Sequence, residues 1–312
     1  MIERGAERQP VLVVGSIGLD TIETPFGVVK DVLGGAASYA STSASFFTGV
    51  RLVGVVGDDF PREHLQFFQQ RGIDLNGVQT TPGATFRWNG FYEYDMNQAH
   101  TRATHLNVFE HFQPEIPEAY RATPYVFLAN IDPELQLRVL DQVTTPTFSL
   151  ADTMNFWITG KREKVLEVIS RVNAITINDA EARQLCDTSS LVVAGRRLLA
   201  MGPRVVIIKK GEHGAVMFTE SSYFVAPSFP LEEVHDPTGA GDTFAGGVIG
   251  YLAYSADLSE ENLRRAVLYG SVMASYSVEE FSLDRLARLE PGEIMLRYQE
   301  MRRSTAVADE GK

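Results

Sequence analysis

The chain has 312 residues, 44% hydrophobic and 22% charged, with 28 Lys plus Arg against 40 Asp plus Glu, a net charge of −12 and a pI near 5.0. That balance repels a polyanion and no dense basic patch offsets it, so no nucleic-acid partner is expected. The one cysteine, Cys186, excludes an intrachain disulfide, and the apolar run after the charged N-terminus is too short for a signal or membrane helix, so a cytoplasmic protein is expected.

The run Val11-Leu-Val-Val14 is short, apolar and β-branched, as a buried parallel strand requires. Residues 34–47, rich in Ala and Ser, predict a helix packed closely on a sheet, and 50–56 predicts the next strand. Further strands are predicted at 125–128, 147–150, 174–177 and 205–208, with helices at 133–143, 162–172, 179–186 and 191–201. Strands alternating with helices mean a mostly parallel sheet covered on both faces, an α/β core. Residues 240–301 read as chiefly helical, and 303–312 as a frayed tail.

Two segments break the alternation. Residues 21–33 are extended around a Pro-Phe-Gly turn, and 83–109 read as two strands of period 2. In the second, Phe86, Trp88, Tyr92 and Tyr94 share one face, and Thr85, Arg87, Asn89 and Glu93 the other. The two segments are expected to form a small sheet outside the main layer, a lid; an ordinary edge hairpin is the alternative. With no repeat or interdomain linker, residues 1–312 are expected to form a single domain.

The strongest chemical signal is His235-Asp-Pro-Thr-Gly-Ala-Gly-Asp-Thr-Phe-Ala-Gly-Gly247, which opens a helix-like run. A helix N-terminus offers unpaired N–H groups and a positive dipole end to an anion, and Gly239 and Gly241 let backbone approach it. Asp242 directly follows. Phosphate would repel this carboxylate unless its task were to accept a proton from an attacking hydroxyl.

This run closely resembles the D-T-x-G-A-G-D signature of the ribokinase-like (PfkB) carbohydrate kinases. Other stretches resemble that family in the right order: Val13 to Asp20, Gly34-Gly35, Gly57-Asp-Asp-Phe60, Asn178-Asp-Ala-Glu181 and Lys209-Lys-Gly-Glu-His-Gly214. The resemblance implies a three-layer ribokinase-like core with a β lid, and an ATP-dependent kinase that phosphorylates a sugar-like hydroxyl. It makes Asp242 the base and the N–H groups of Gly239, Ala240, Gly241 and Asp242 the anion hole. Asn178 and Glu181 would organise Mg²⁺, largely through water. Asn178, Lys209, Gly211, Glu212 and Gly214 would flank the nucleotide, and Asp236 and Thr238 match ligands of a monovalent cation such as K⁺. Asp20, Gly34 and Gly35 would hold the acceptor.

Some positions depart from the family pattern. Tyr39 stands where an Asn commonly contacts the sugar, and Ala129-Asn130-Ile-Asp-Pro133 replaces a strand-end acidic residue, which brings Asn130 to the acceptor. Pro237 replaces the more frequent Thr beside the expected cation site. A particular sugar is therefore not assigned, and a nucleoside kinase shares every motif. Tyr39 and the aromatic lid face are expected either to stack on a nucleobase or to pack within the protein, or to join a second subunit in a lid-to-lid homodimer. Neither G-x-G-x-x-G nor G-x-x-x-x-G-K-[ST] occurs, which argues against a nicotinamide oxidoreductase and a P-loop kinase. A sugar-binding regulator without catalysis is disfavoured by the joint presence of Asp242, Asn178 and Glu181.

Overall fold

The computed structural model describes residues 8–305. In chain order the strands are β1 (Val11–Val14), β2 (Gly18–Thr24), β3 (Gly27–Gly34), β4 (Val50–Gly57), β5 (Ile73–Thr81), β6 (Phe86–Tyr92), β7 (Ala99–His105), β8 (Tyr125–Leu128), β9 (Phe148–Asp152), β10 (Ala174–Asn178), β11 (Val205–Lys209), β12 (Ala215–Phe218) and β13 (Tyr223–Ala226). The helices are α1 (Ala36–Ser45), α2 (Arg62–Gln70), α3 (Pro133–Gln142), α4 (Asn155–Gly160), α5 (Arg162–Arg171), α6 (Asp179–Cys186), α7 (Leu191–Leu199), α8 (Ala240–Ser255), α9 (Glu260–Ser277), α10 (Asp284–Arg288) and α11 (Pro291–Thr305).

The main sheet has 9 strands in the order β13-β12-β11-β10-β9-β8-β1-β4-β5, parallel from β11 to β5, with β12 and β13 antiparallel at one edge. Its central strands are apolar on both faces because helices cover both. Val11 and Val13 pack in the core beneath α1, α8 and α9, while Leu12 and Val14 pack in the core beneath α3, α5, α6 and α7. This is the expected three-layer α/β arrangement. The small residues of α1 have a specific use: a Cβ on Gly246 of α8 would lie 2.3 Å from the Ala40 carbonyl, so only glycine permits this helix contact.

The predicted lid forms as a separate 4-stranded sheet, β3-β2-β6-β7, in which β2 runs parallel to β6. β2 follows β1 after only Gly15, Ser16 and Ile17, so the strand that starts the core also starts the lid. Asp59 fastens the far side: it accepts hydrogen bonds from Thr85 N at 2.7 Å and Thr85 Oγ1 at 2.6 Å, and pairs with Arg87 at 2.8 Å.

Several boundaries differ from the expectation. The helix expected over 34–47 starts at Ala36, because Gly34 ends β3 and Gly35 turns the chain at φ 92. Strand β9 runs two residues past the expected end at 150, to Asp152. The elements α2, α4, β5, β12 and β13 were not predicted; the edge strands β5 and β13 carry mostly exposed or partly exposed residues that blur their period. Residues 303–305 continue α11, and the rest of the predicted tail lies outside the described residues.

Candidate active site

Helix α8 begins at a left-handed Gly239, φ 73, and carries Asp242 in its first turn. The first N–H groups of a helix have no acceptor within it. Here Ala240 N donates to Pro237 O at 3.2 Å, so Gly241 and Asp242 supply the N–H groups best placed for an anion. Gly239 also admits a neighbour: a Cβ there would lie 2.4 Å from the Tyr39 ring. Asp236 is fully buried, its carboxylate accepting from Thr238 N and Ser282 N, each at 2.9 Å. It ties the turn before α8 to the segment after α9.

The carboxyl ends of β9, β10 and β11 meet this turn. Asn178 caps α6 by accepting from Glu181 N at 2.8 Å, and Glu181 returns the bond to Asn178 N at 2.9 Å, a reciprocal capping box. Lys209 Nζ bonds Asp152 Oδ2 at 2.6 Å. The ammonium also lies against α8: a Cβ on Gly241 would be 3.0 Å from Nζ. Asp152, Glu181, Asp242 and Lys209 therefore share one electrostatic cluster. Burial, then Asp152, push the Asp242 carboxyl up to about 7, with Lys209 opposing. The same causes, in the same order, raise Glu181 to about 7. Asp152 was not foreseen, although its place at the end of a parallel strand is where ligands of such sheets gather.

The loop after β11 turns through Gly211 (φ 55) and Gly214 (φ 75), with Lys210 N donating to Gly214 O at 2.7 Å. Glu212 is exposed on it. The turn of the β6–β7 hairpin reaches this loop: Asn97 Oδ1 is 3.2 Å from where a Gly211 Cβ would stand.

On the other side of Asp242 lies Asp20, on β2 and 3% exposed. Its Oδ1 has no hydrogen-bond partner among the described residues. Burial, then Asp236, and further Asp242 push its pKa up to about 7, against the N–H groups of Gly35 and Trp88. Gly34 makes room for this carboxylate, since a Cβ there would sit 2.0 Å from Oδ2. Tyr39 is 1% exposed and its hydroxyl is also unpartnered among the described residues. Burial, then Asp236 and Asp20, hold that phenol well above its ordinary pKa. Because the Tyr39 ring is pressed against Gly239, it packs within the protein and is not a free stacking surface.

Trp88 is in register with Asp20, so Trp88, Gly90 and Tyr92 turn their lid face toward the site. The indole lies over Gly90 and donates to Thr101 Oγ1 at 3.1 Å; Tyr92 OH and Thr238 Oγ1 are 3.2 Å apart. Tyr94 does not join this face: it lies beyond β6 and is 91% exposed. Asn130 Oδ1, expected beside the acceptor, accepts from Trp157 Nε1 at 3.1 Å. Among the described residues no helix is long and apolar enough to cross a membrane, and no three His, Cys, Asp or Glu side chains are set to grip a metal directly.

Known proteins share this fold. A cytidine kinase from Thermococcus kodakarensis is 31% identical over 256 residues, 80% of this chain and 91% of that protein. The fold superposes on the nucleoside kinase of Methanocaldococcus jannaschii with a TM-score of 0.75 at 20% identity, covering 95% of this chain and all of that one. It also matches a Burkholderia thailandensis nucleoside kinase in complex with inosine, TM-score 0.74 at 20% identity, covering 93% of this chain and 96% of that one. The pattern of the pfkB family carbohydrate kinases matches residues 8–286, and the chain belongs to that family.

Proposed function

We propose that this protein transfers the γ-phosphoryl group of ATP to a sugar hydroxyl of a nucleoside, with Asp242 as general base. One observation carries the reading. Asp242 is the carboxylate coupled to both halves of the site, to Asp20 on the acceptor side and to Asp152, Lys209 and Glu181 on the nucleotide side. A base with a pKa near 7 is matched to proton abstraction at neutral pH.

Asp20 receives an acceptor hydroxyl on its unpartnered Oδ1, and the Tyr39 hydroxyl offers a second polar contact. Asp242 takes the proton of the attacking hydroxyl. The N–H groups of Gly241 and Asp242 hold the phosphoryl oxygens, and the lid excludes water. Mg²⁺ fits the nucleotide half, where three carboxylates face one ammonium and leave net negative charge. With no direct cage, Asn178 and Glu181 would hold it through water. When bound it neutralises phosphate charge. Asp236 and Thr238 would keep lone pairs for a monovalent cation, because each Asp236 oxygen accepts a single N–H and Thr238 Oγ1 donates to Tyr92 OH. No step is assigned to it.

The nucleoside is favoured over a free sugar by the similarity to the cytidine kinase and by the Trp88 indole on the inner lid face. A homodimer through the lid would use its other face, where Glu23, Arg87, Phe91 and Arg102 lie, since Trp88 and Tyr92 turn inward. The test is ADP release from ATP with panels of nucleosides, sugars and polyols. Turnover with nucleosides is expected; ATP left intact with every acceptor would sink the reading.

A further inference from the structure

We propose that Lys209 is a catalytic residue whose ammonium group holds the phosphoryl group in flight, and that Asp152 is the residue that positions it. This rests on the kinase reading above. Lys209 ends β11 and Asp152 ends β9, with β10 between them. The lysine reaches across the end of β10 to make its 2.6 Å bond, and the two side chains are only 17% and 5% exposed.

A buried ion pair is weak evidence for stability, because desolvating both charges cancels much of their attraction. What this pair does is aim a cation. Its ammonium stands against the first turn of α8, 3.0 Å from the position of a Gly241 Cβ, beside the N–H groups that receive the anion. An ammonium carries three N–H donors, and Asp152 is its one hydrogen-bond partner among the described residues. The remaining donors are available to phosphoryl oxygens without loss of the Asp152 bond. Burial works against the charge on Lys209, yet Asp152 and Glu181 outweigh it and its pKa is raised. The cation thus stays charged where negative charge develops.

In the reaction the acceptor oxygen bonds to the γ-phosphorus as the bond from that phosphorus to the β–γ bridging oxygen breaks. The acceptor proton passes to Asp242 and ADP departs. Lys209 stays protonated throughout.

The test compares Lys209→Met, Asp152→Asn and the double variant for kcat, for KM of ATP and of the acceptor, and for thermal melting. Lys209→Met is expected to lower kcat by about 10²–10³-fold, as losing one preorganised donor does elsewhere. Its acceptor KM should stay within about threefold, the signature of an interaction made mainly in the transition state. Asp152→Asn, which keeps an acceptor oxygen, should lower kcat by about tenfold. The double variant removes both charges, so it should regain melting stability lost by Lys209→Met while keeping its low kcat. If the double variant recovered wild-type kcat, or if folded Lys209→Met turned over within about threefold of wild type, Lys209 would have no catalytic role. A wild-type protein inactive with every acceptor would overturn the kinase reading and this assignment together.

Discussion

Replacing Asp242 by Asn separates the catalytic role proposed for this carboxylate from its effect on stability. Removing a general base costs about 10²–10⁴-fold in turnover. The structure also predicts a gain in stability. The carboxyl stands near pKa 7 against an ordinary 3.8, so between those values the folded protein holds a proton that the unfolded chain has released. Stability of the wild type therefore falls as pH rises from about 4 to about 7 and then levels off. At about 1.4 kcal/mol per unit the full displacement exceeds about 4 kcal/mol, and the partial exposure of Asp242 discounts it to about 2. For a chain of this length that is about 3 °C in Tm at pH 8, falling to about half at pH 5.5. Paired melting curves at the two pH values, with ADP release at pH 8, measure both effects. An Asn variant less stable than wild type at pH 8, or one retaining a tenth of its turnover, would refute the reasoning.

Gly241→Ala places a methyl group 3.0 Å from Lys209 Nζ at a position of ordinary helical backbone. Melting should change by no more than about 2 °C while kcat falls about tenfold, read by steady-state kinetics. Tyr39→Phe removes a buried hydroxyl that has no partner among the described residues, so stability should hold or rise by about 1 kcal/mol in denaturant unfolding. Acceptor KM should rise by about tenfold with ATP KM unchanged. Glu181→Gln keeps most of the capping geometry but removes a charge, and should raise the Mg²⁺ concentration for half-maximal rate by about tenfold in a metal titration.

What could be read in advance follows from how local each signal is. The α8 turn and the Asn178–Glu181 cap depend on residues a few positions apart, so their spacing displays them directly. Asp152 escaped because the predicted strand stopped at 150, and an Asp at a strand end resembles the start of a turn. Its significance comes from Lys209, 57 positions away, and only the order β9-β10-β11 brings the two together. The lid faces failed differently. Period 2 correctly grouped Phe86, Trp88 and Tyr92, but alternation does not say which face looks inward, and Tyr94 lay past the strand end. Tyr39 was recognisable as an unusual residue, yet only packing shows that its ring is set against Gly239. The edge strand β5 escaped because most of its residues are partly exposed.

The short link between β1 and β2 has a consequence for how such an enzyme diversifies. Asp20, Trp88 and Tyr92 all ride on the lid sheet, whereas Asp242, Lys209, Asp152 and Glu181 belong to the ends of core strands and helices. In the mechanism proposed above, Asp20 and the lid aromatics on one sheet would receive the acceptor and the groups at the core would carry the transfer, with Tyr39 of α1 between them. On that proposal, exchange of a hairpin such as β6–β7 would change what is phosphorylated while the residues proposed to phosphorylate it stay in place. A hybrid carrying the lid of a relative would be expected to inherit that relative's acceptor and keep its own response to nucleotide.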